Sequence, residues 1–537
     1  MVFRMRLLCK TLNQYKRIII YGTGNYALEV YPQLIEGNLK EKLVCFAQTV
    51  VDRAESIGGI PVADIRTLTY DRTESVVLVA VSKMYVEEIK NTLLDNEYLN
   101  IVSLSDYQVD YRRTEEEFGR LLGFEEQCEC IADWYVKTHI GNVKKKEIFD
   151  NIMNRSNYID EKRETNLIVM ICGHLSPRAL KIVGALKQKQ YDIIMLSYCR
   201  GENKWCTDEL RKYDIRIKQC ECIEEMFYNA LQYHPLVYFF EPRWGDCQWA
   251  EVVIKNKQYF GKVIIDLYDV INDGFTGQTE KNLMAERYVL EHADGIVWRW
   301  FSKAYLEEKG FKYQGKSIQF IDYCDYKGED SFAYEADDTV LKLCTITGYG
   351  DEYAEERPYV TEYAEWARLD EILARVGNKE DCIFHFYAGH LSDSNIERCE
   401  KMEKQYKNFR FFLNTEYNRL LKNLSYYDYG CDLWTNGKEP SDDCVIGEYY
   451  GSLYRNSIRN VYFDFLGAGL PVVTTNSEKM WQYLSAYDVV VKMNLSSIDI
   501  DYLKQHKNYY RTEVKKARKE IDIDNQIPRL IQFFNEV

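Results

Sequence analysis

The sequence predicts an α/β protein made of three successive units, each with a mainly parallel sheet. Short apolar runs rich in β-branched residues alternate with amphipathic helical stretches through most of the 537 residues. Strands that alternate with helices need crossover connections, and these build parallel sheets. The length agrees with this pattern, because a chain of this size usually forms about three or four domains.

The bulk composition excludes several classes of protein. A net charge of −15 argues against a nucleic acid as the main partner. The sequence has neither an apolar run long enough to span a membrane nor a secretory signal, so a cytoplasmic location is expected. The 16 cysteines are therefore expected to be reduced thiols. The two Cys-Glu-Cys pairs lack the usual Cys-x-x-Cys spacing, so no metal site and no cofactor are predicted.

The first unit, residues 1–111, opens with a buried strand and a glycine-rich turn, "IIIYGTGNYA". In this G-x-G-x-x-A pattern, glycines let the backbone approach a ligand at a helix N-terminus. The predicted ligand contacts are Gly22, Gly24, Asn25 and Tyr26. An NAD-dependent dehydrogenase would need an acid near the end of the second strand, where the chain has Phe-Ala-Gln at 46–48. NAD binding is therefore disfavoured.

The same unit resembles the N-terminal Rossmann-like domain of bacterial sugar O-acyltransferases of the PglD type. The shared features are "YGTGNYA", the phrase "GGIPV" and the following "VAV" strand, and the resemblance covers about residues 15–110. In that family the domain binds a nucleotide-sugar. The resemblance therefore implies either a nucleotide-sugar site or a docking module here.

The rest of the chain divides by pattern into four segments. Residues 112–163 are charged and helical in character, and predict a helical connector. Strand and helix patterns then alternate through residues 164–330 and again through 331–500. Residues 501–537 predict a long charged helix with a short apolar tail, packing back across the two preceding units. Two consecutive parallel-sheet units create a cleft between the carboxyl ends of their strands, where ligands bind.

The stretch "NVYFDFLGAGLPVVTTN", residues 460–476, places one carboxylate in an apolar segment. Gly469 is a natural helix stop, Pro471 prevents further helix, and the β-branched run after it predicts a short buried strand. The preceding residues are therefore helical, and Asp464 lies along that helix. Two interpretations stay open for this side chain: a ligand contact, or a surface acid of an amphipathic helix.

Residues 165–525 resemble the GT-B glycosyltransferases, especially the large retaining group often called family 4. "FDFLGAGLPVVTT" is similar to the nucleotide-binding segment of that group, in which a carboxylate-bearing helix precedes an A-x-G-x-P-V-V turn. "VIIDLYDV", "ERYVLEHADGIVWRW" and "LSYYDYGCDLWT" follow the order and spacing of further segments of the group. The resemblance implies two facing Rossmann-like domains in the GT-B arrangement.

The resemblance also implies a donor site around this helix. Asp464 takes the place of the ribose-binding glutamate, and the helix N-terminus would face the diphosphate. The other implied donor contacts are Arg455, Ser457, Arg459, Asn460, Gly348 and Gly350. The chain departs from the group at two points. Asn456 replaces a second glutamate, and the loop after the first strand of the third unit, "TGYGDEYAEERPYV", is acidic where the group presents Arg and Lys.

Strand ends of the second unit supply the candidates for chemistry and acceptor binding. His174 is a candidate acid–base group and Asp269 a candidate base or orienting group. Their alternatives are a loop histidine packed by its neighbours and an ordinary turn or cap residue. The predicted acceptor or cleft contacts are Gly173, Arg178, Arg243 and Arg299. For Arg243 and Arg299, structural ion pairs are the alternative.

Together these features predict a metal-independent, retaining, hexosyltransferase-like glycosyltransferase. It would move a sugar from a nucleotide-sugar, its substrate, to a bacterial surface-glycan or lipid-linked acceptor. The alternative is a catalytically degenerate GT-B subunit that acts as a binding or scaffold protein in glycan assembly. Peripheral association with the inner face of the membrane and homo-oligomerisation both stay open.

Overall fold

A computed structural model of the chain describes most of each predicted unit. The described residues are 5–49, 56–107, 124–139, 144–156, 164–172, 176–197, 213–220, 222–241, 247–267, 280–299, 303–308, 310–313, 315–325, 339–347, 367–389, 391, 393–413, 415, 417–432, 460–474, 484–493 and 497–537.

The first unit contains a six-stranded sheet in the order β3-β4-β2-β1-β5-β6. Its elements are α1 (Met5–Leu12), β1 (Arg17–Tyr21), α2 (Asn25–Glu36), β2 (Leu43–Gln48), β3 (Ser56–Ile57), β4 (Ile60–Asp64), β5 (Ser75–Val79), α3 (Val86–Asp95) and β6 (Ile101–Ser103). Only β3 runs antiparallel to its neighbour among these described strands. Apolar clusters cover both faces of the sheet, as a parallel sheet requires.

Two helices join the first unit to the second: α4 (Phe124–Thr138) and α5 (Lys145–Ser156). The ammonium group of Lys10, in α1, donates to the carbonyl oxygens of Val136, Lys137 and His139 at 3.5, 3.1 and 3.5 Å. A cation at this place satisfies carbonyl groups that the end of α4 leaves without helical partners. The first unit is thus attached directly to the connector, whose described residues are mostly helical.

The second unit contains a parallel seven-stranded sheet in the order β13-β12-β11-β10-β7-β8-β9. Its elements are β7 (Glu164–Cys172), α6 (Pro177–Gln188), β8 (Asp192–Ser197), β9 (Arg216–Gln219), α7 (Ile223–Ala230), β10 (Pro235–Glu241), α8 (Cys247–Lys255), α9 (Lys257–Phe260), β11 (Val263–Leu267), α10 (Glu280–His292), β12 (Gly295–Trp298), α11 (Lys303–Glu308) and β13 (Lys316–Gln319). Sequence analysis missed both edge strands, β9 and β13, because "RIKQ" and "KSIQ" are short and largely polar.

The third unit contains a parallel six-stranded sheet in the order β16-β15-β14-β17-β18-β19. Its elements are β14 (Leu341–Thr347), α12 (Ala367–Val376), β15 (Cys382–Ala388), α13 (Asp393–Gln405), β16 (Phe409–Leu413), α14 (Tyr417–Leu424), β17 (Tyr429–Asp432), α15 (Asn460–Gly467), β18 (Val472–Thr474) and β19 (Val490–Lys492). All six strands were predicted. The fold class is therefore confirmed as α/β with three mainly parallel sheets.

The C-terminal residues form α16 (Ile500–Glu520) and α17 (Ile523–Glu536), and they return the chain to the second unit. The Tyr429 hydroxyl of β17 donates to the Leu503 carbonyl of α16 at 2.9 Å. The ring of Phe534, in α17, lies 5.3 Å from that of Phe239, in β10. The apolar tail predicted at the end of the chain is thus the buried face of a helix.

The chain crosses between the second and third sheets twice, and the two crossings contact each other. The backbone N–H of Cys324, on the outward crossing, donates to the carbonyl of Ile521 on the return at 3.1 Å. The N–H of Ile523 donates to the Cys324 carbonyl at 2.8 Å. One apolar cluster also extends from the second sheet to α14, α15 and α17. The two units therefore share a core rather than being connected by a loose linker.

No helix among the residues that the structure describes is long and apolar enough to cross a membrane.

Candidate functional site

Each of the two larger sheets has a topological switch point at which the order of its strands reverses. In the second unit this point lies between β7 and β10, and in the third it lies between β14 and β17. Ligands of such sheets bind outside the carboxyl ends of the strands at the switch point. The helix α15 follows β17 in the chain, so the predicted helix with Asp464 is placed beside this position.

Close packing fixes α15 on the third sheet. A Cβ atom at Gly430, in β17, would lie 2.4 Å from the ring of Phe465, so only glycine allows the helix this near. The Tyr462 hydroxyl lies 2.9 Å from the Asp432 carboxylate and 3.1 Å from the Thr474 hydroxyl. Gly469 ends the segment with a positive φ of 85°, as the sequence predicts.

Asp464 faces the second unit and is 9% exposed. Its Oδ1 lies 2.8 Å from the ammonium nitrogen of Lys181, which reaches over from α6. The same oxygen accepts a hydrogen bond from the Tyr417 hydroxyl of α14 at 2.6 Å. Among the described residues, Oδ2 has no hydrogen-bond partner. This carboxylate is therefore an interdomain contact with one oxygen occupied and one available.

Asn460 makes a second contact between the two units, one helical turn before Asp464. Residues four apart share a helix face, so both side chains point to the second sheet. The Asn460 Oδ1 accepts a hydrogen bond from Arg299, at the end of β12, at 3.1 Å. Arg299 also pairs with Asp322, and its side chain is 6% exposed. The ion pair that was the alternative for Arg299 is thus present beside Asn460, and contact of Arg299 with an acceptor stays a prediction.

Arg178 lies in the same buried charge cluster and does not face a cleft. Its Nε and Nη2 each donate to the Asp266 carboxylate at 2.9 Å, and its Nη1 donates to Asp322 at 3.2 Å. Its side chain is 1% exposed. Burial lowers the pKa of this guanidinium, but the two carboxylates outweigh burial and place the pKa above its ordinary value. The expectation that Arg178 contacts an acceptor is therefore replaced by a structural role.

Asp322 joins these contacts, because it accepts hydrogen bonds from both arginines. Burial raises the pKa of its carboxyl, but Arg299, Arg178 and Lys181 outweigh burial, so the pKa is lowered from its ordinary value. Asp322 follows β13 on the outward crossing, near Cys324. The ionised carboxylate thus fixes the crossing to the carboxyl edge of the second sheet.

The start of α6 is fixed by Ser176 and Glu241. The Ser176 hydroxyl accepts from the Ala179 N–H at 2.9 Å, an N-cap, and donates to the buried Glu241 carboxylate at 3.0 Å. Glu241 ends β10, so this contact spans the switch point of the second sheet. It sets the position of the helix that carries Lys181.

Nine of the predicted site residues lie outside the described residues, and their roles stay predictions. They are Gly173, His174, Arg243, Asp269, Gly348, Gly350, Arg455, Ser457 and Arg459.

The predicted ligand turn of the first unit has the expected backbone. Gly22 has a φ of 115°, and a Cβ there would lie 2.8 Å from the Ala80 carbonyl oxygen, so glycine is required. Gly24 precedes α2, whose first residue is Asn25, and the space around Gly24 is open. Gln48 stands where an NAD site would have its acid, and its amide donates to Thr23 in the turn. The turn is therefore formed, and ligand binding at Gly22, Gly24, Asn25 and Tyr26 stays a prediction.

Sequence analysis missed Lys181 and Tyr417. A signal existed for Lys181, because it lies between Leu180 and Ile182 in a helix that is buried from residue 178 to 186. A charged residue in such a position needs a buried partner. Tyr417 carried no such signal, because a tyrosine at the start of an amphipathic helix is ordinary.

Within the ranges that the structure covers, no group of three or more His, Cys, Asp or Glu side chains is arranged to hold a metal ion.

No protein-family model matches the chain, and none of the curated proteins compared with it matches. Several solved structures are distantly similar to the chain. HepE of Anabaena, in complex with UDP-glucose, is 9% identical, with 69% of this chain and 97% of that chain covered and a TM-score of 0.41. WaaB, a lipopolysaccharide outer core galactosyltransferase, is also 9% identical, with 68% and 99% covered and a TM-score of 0.42.

The matches also include an epimerase. The UDP-GlcNAc 2-epimerase of Methanocaldococcus jannaschii is 12% identical, with 68% of this chain and 99% of that chain covered and a TM-score of 0.39. At such identities a likeness concerns the fold alone. The order of the strands, the shared core and the double crossing show that residues 164–537 have the GT-B arrangement of two Rossmann-like domains.

Proposed function

We propose that this chain is a glycosyltransferase that uses a nucleotide-sugar donor. The observation that carries the proposal is the position of Asp464. Its carboxylate lies on α15, beside the switch point of the third sheet, and faces the second sheet with Oδ2 available. A carboxylate in this position can accept hydrogen bonds from the hydroxyl groups of a ribose.

The start of α15 suits the other part of such a donor. Backbone N–H groups at a helix N-terminus and the positive end of the helix dipole favour a diphosphate. Asn460 is the first residue of α15 that the structure describes, and it lies one turn before Asp464. A nucleoside diphosphate lying along this turn would have its phosphates near Asn460 and its ribose near Asp464.

The finer parts of the proposal come from the resemblance of the sequence. They are a retaining mechanism without a metal ion, a bacterial surface-glycan or lipid-linked acceptor, and action in the cytoplasm. Leaving-group charge would then be neutralised by the helix dipole and by cationic side chains. The separate resemblance of the first unit to the PglD-type domain implies that this unit binds a nucleotide-sugar or serves as a docking module.

A thermal-shift series with UDP-, GDP-, dTDP- and CDP-sugars tests the proposal. A ligand that binds only the folded state raises the melting temperature, by an amount that grows with concentration. We expect one donor to shift the wild type and to lose that shift in Asp464→Asn. The matched control is Asp428→Asn, which removes another buried acid of the third unit, the partner of Lys507 at 3.9 Å.

The two variants separate binding from stability. Both remove a buried acidic partner of a lysine, so both are expected to melt at a lower temperature than the wild type. Only Asp464→Asn should abolish the shift. A shift that survives Asp464→Asn would place the ligand elsewhere, with the first unit as the next candidate. Release of free sugar from the donor, followed by chromatography, then tests the transfer chemistry.

A scaffold protein with the same fold is the second candidate, and the contacts of Asp464 favour it. Lys181 and Tyr417 already occupy Oδ1, so the side chain can act as an interdomain contact alone. The acidic loop after β14 points the same way. Absence of any shift and of any donor hydrolysis would support this second candidate and contradict the first.

A further inference from the structure

We propose that Lys181 is a positioning residue of the donor site, which holds one oxygen of Asp464 so that the other can accept a vicinal diol. This inference rests on the proposed function, because it assumes that Asp464 binds the ribose of the donor. It adds a residue from the second unit to a site whose other predicted donor residues all belong to the third.

The burial of Lys181 leaves its ammonium group dependent on Asp464. Its side chain is 2% exposed, and that of Asp464 is 11% exposed. An ammonium group withdrawn from water needs a charged or strongly polar partner. The 2.8 Å contact to Oδ1 supplies it across the interface. The contact therefore fixes the orientation of the Lys181 side chain and that of the Asp464 carboxylate.

The hydrogen bonds to Oδ1 determine what the carboxylate can still accept. An ionised carboxylate offers about four lone-pair positions, two on each oxygen. Lys181 and Tyr417 both donate to Oδ1 and take two of them. The remaining positions are on Oδ2, which has no partner in the described part of the chain. Two neighbouring hydroxyl groups, as in a ribose, match that remaining capacity.

Charge gives Lys181 a second effect at the same place. Asp464 alone would put a negative charge about one helical turn from the proposed diphosphate, and like charges repel more strongly away from bulk water. Lys181 balances that charge without contact with the donor. Removal of the lysine should therefore weaken binding of a nucleotide even though the carboxylate remains.

The binding test uses Lys181→Met, which keeps the length of the side chain, and Lys181→Arg, which keeps its charge. The probe is whichever of UDP, GDP and CDP gives the largest wild-type thermal shift, measured by calorimetric titration. Its 2′,3′-dideoxy analogue and inorganic pyrophosphate are the comparison ligands. We expect Lys181→Met to raise the dissociation constant of the ribose-containing probe by about tenfold or more. Lys181→Arg should recover most of that loss.

The comparison ligands distinguish an action through Asp464 from other roles. If Lys181 acts by holding the carboxylate, most of its effect should vanish with the dideoxy analogue, which lacks the hydroxyl groups. A loss of equal size for pyrophosphate would overturn the inference, because it would mean that Lys181 acts on the phosphates and not on the capacity of Asp464 to accept the diol. Equal losses for all three ligands would indicate a general structural effect and overturn it as well.

A double-mutant cycle gives an independent test. Adding Lys181→Met to Asp464→Asn should cost little further affinity, since the group through which the lysine acts has gone. Additive losses would contradict the inference. Tyr417→Phe keeps the ion pair and removes only the second hydrogen bond to Oδ1, so it serves if Lys181→Met does not fold. We expect Tyr417→Phe to raise the dissociation constant of the ribose-containing probe by about threefold.

Failure of the inference and failure of the proposed function give different results. If the wild type binds none of the nucleotides, the donor site itself is wrong. If the wild type binds one and Asp464→Asn binds it much more weakly, but Lys181→Met and Tyr417→Phe bind normally, only the positioning role is wrong.

Discussion

Cys324 and Asp522 form a parallel β-bridge at the place where the two crossings between the second and third sheets meet. The bridge lies directly before α17, and Asp522 is the N-cap of that helix, with its Oδ1 3.3 Å from the Asp524 N–H. The helix that returns to the second sheet thus begins on the crossing that leaves it. The two crossings are therefore fixed to each other at this point.

Asp522→Ala should loosen the return of the chain to the second unit. Loss of an N-cap costs about 0.5–2 kcal/mol of the free energy of unfolding. We expect faster amide exchange in α17 than in α16, measured by hydrogen exchange and mass spectrometry. The matched control is Asp499→Ala, which removes the N-cap of α16, where the Asp499 carboxylate accepts from the Tyr502 N–H at 2.9 Å. Equal effects of the two variants on α17 would contradict the expectation.

Asp322→Asn should destabilise the protein severely. The carboxylate is fully buried between two arginines, and its neutralisation removes the ion-pair partner of Arg299 and one of the two carboxylates that Arg178 contacts. Such a loss typically costs about 3–5 kcal/mol, and denaturant unfolding measures it. Glu397→Gln, which breaks an exposed i,i+4 pair with Lys401, should leave the free energy of unfolding almost unchanged. A small effect of Asp322→Asn would mean that water or a rearrangement of neighbouring groups compensates for the negative charge that the two arginines lose.

His385 should make the third unit sensitive to mild acid. It lies on β15, with its Nδ1 2.6 Å from the Tyr427 hydroxyl. Burial lowers the pKa of its imidazole to about 4, and the charge of Arg410 contributes a smaller part. In an unfolded chain the pKa is about 6.5, so the unfolded state binds a proton more readily between these values. Stability due to neutral His385 is complete above about pH 6.5 and is lost as the pH falls towards 4.

The measurement for His385 is the melting temperature at about pH 7.5 and about pH 5. From about pH 7.5 to about pH 5, the free energy of unfolding of the wild type should fall on the order of 1–2 kcal/mol more than that of His385→Gln. The melting temperature should fall correspondingly further. An exposed histidine elsewhere contributes to both proteins equally and cancels in the comparison. If both proteins lose the same stability, His385 is not protonated on unfolding in this range.

Gly430→Ala should displace α15. The new Cβ would overlap the Phe465 ring, and overpacking of this kind typically costs about 1–3 kcal/mol. Any donor affinity should fall too, because α15 carries Asp464. Gly467→Ala is the control within the same helix, since its Cβ would have only ordinary contacts, the nearest at 3.5 Å. Similar melting temperatures for the two variants would contradict the packing argument.

Most of the fold follows from patterns that are local in sequence. Each strand of the third sheet is a short apolar run, and α15 is bounded by Gly469 and Pro471, so the chain near Asp464 predicts its own structure. The edge strands β9 and β13 cannot be predicted from their own residues, because a strand with only one paired neighbour needs few apolar residues. Their positions depend on the strands beside them.

The candidate site was only half predictable, because its contacts join distant parts of the chain. Asp464 stands in a recognisable segment, but Lys181 is 283 residues away and only the folded chain brings it near. The prediction that Arg178 contacts an acceptor was wrong for a related reason. An arginine just after a strand end resembles a ligand contact, and only the three-dimensional structure shows that Asp266 and Asp322 neutralise it.

The contact between Lys10 and the end of α4 limits how the first unit could be exchanged or removed. One ammonium group approaches three carbonyl oxygens of another segment, and α4 in turn places Tyr135 4.9 Å, ring to ring, from Tyr228 of α7. A foreign module grafted in place of the first unit would have to supply an equivalent cation at the same spot. The first unit is thus held to the connector by a contact of its own side chain.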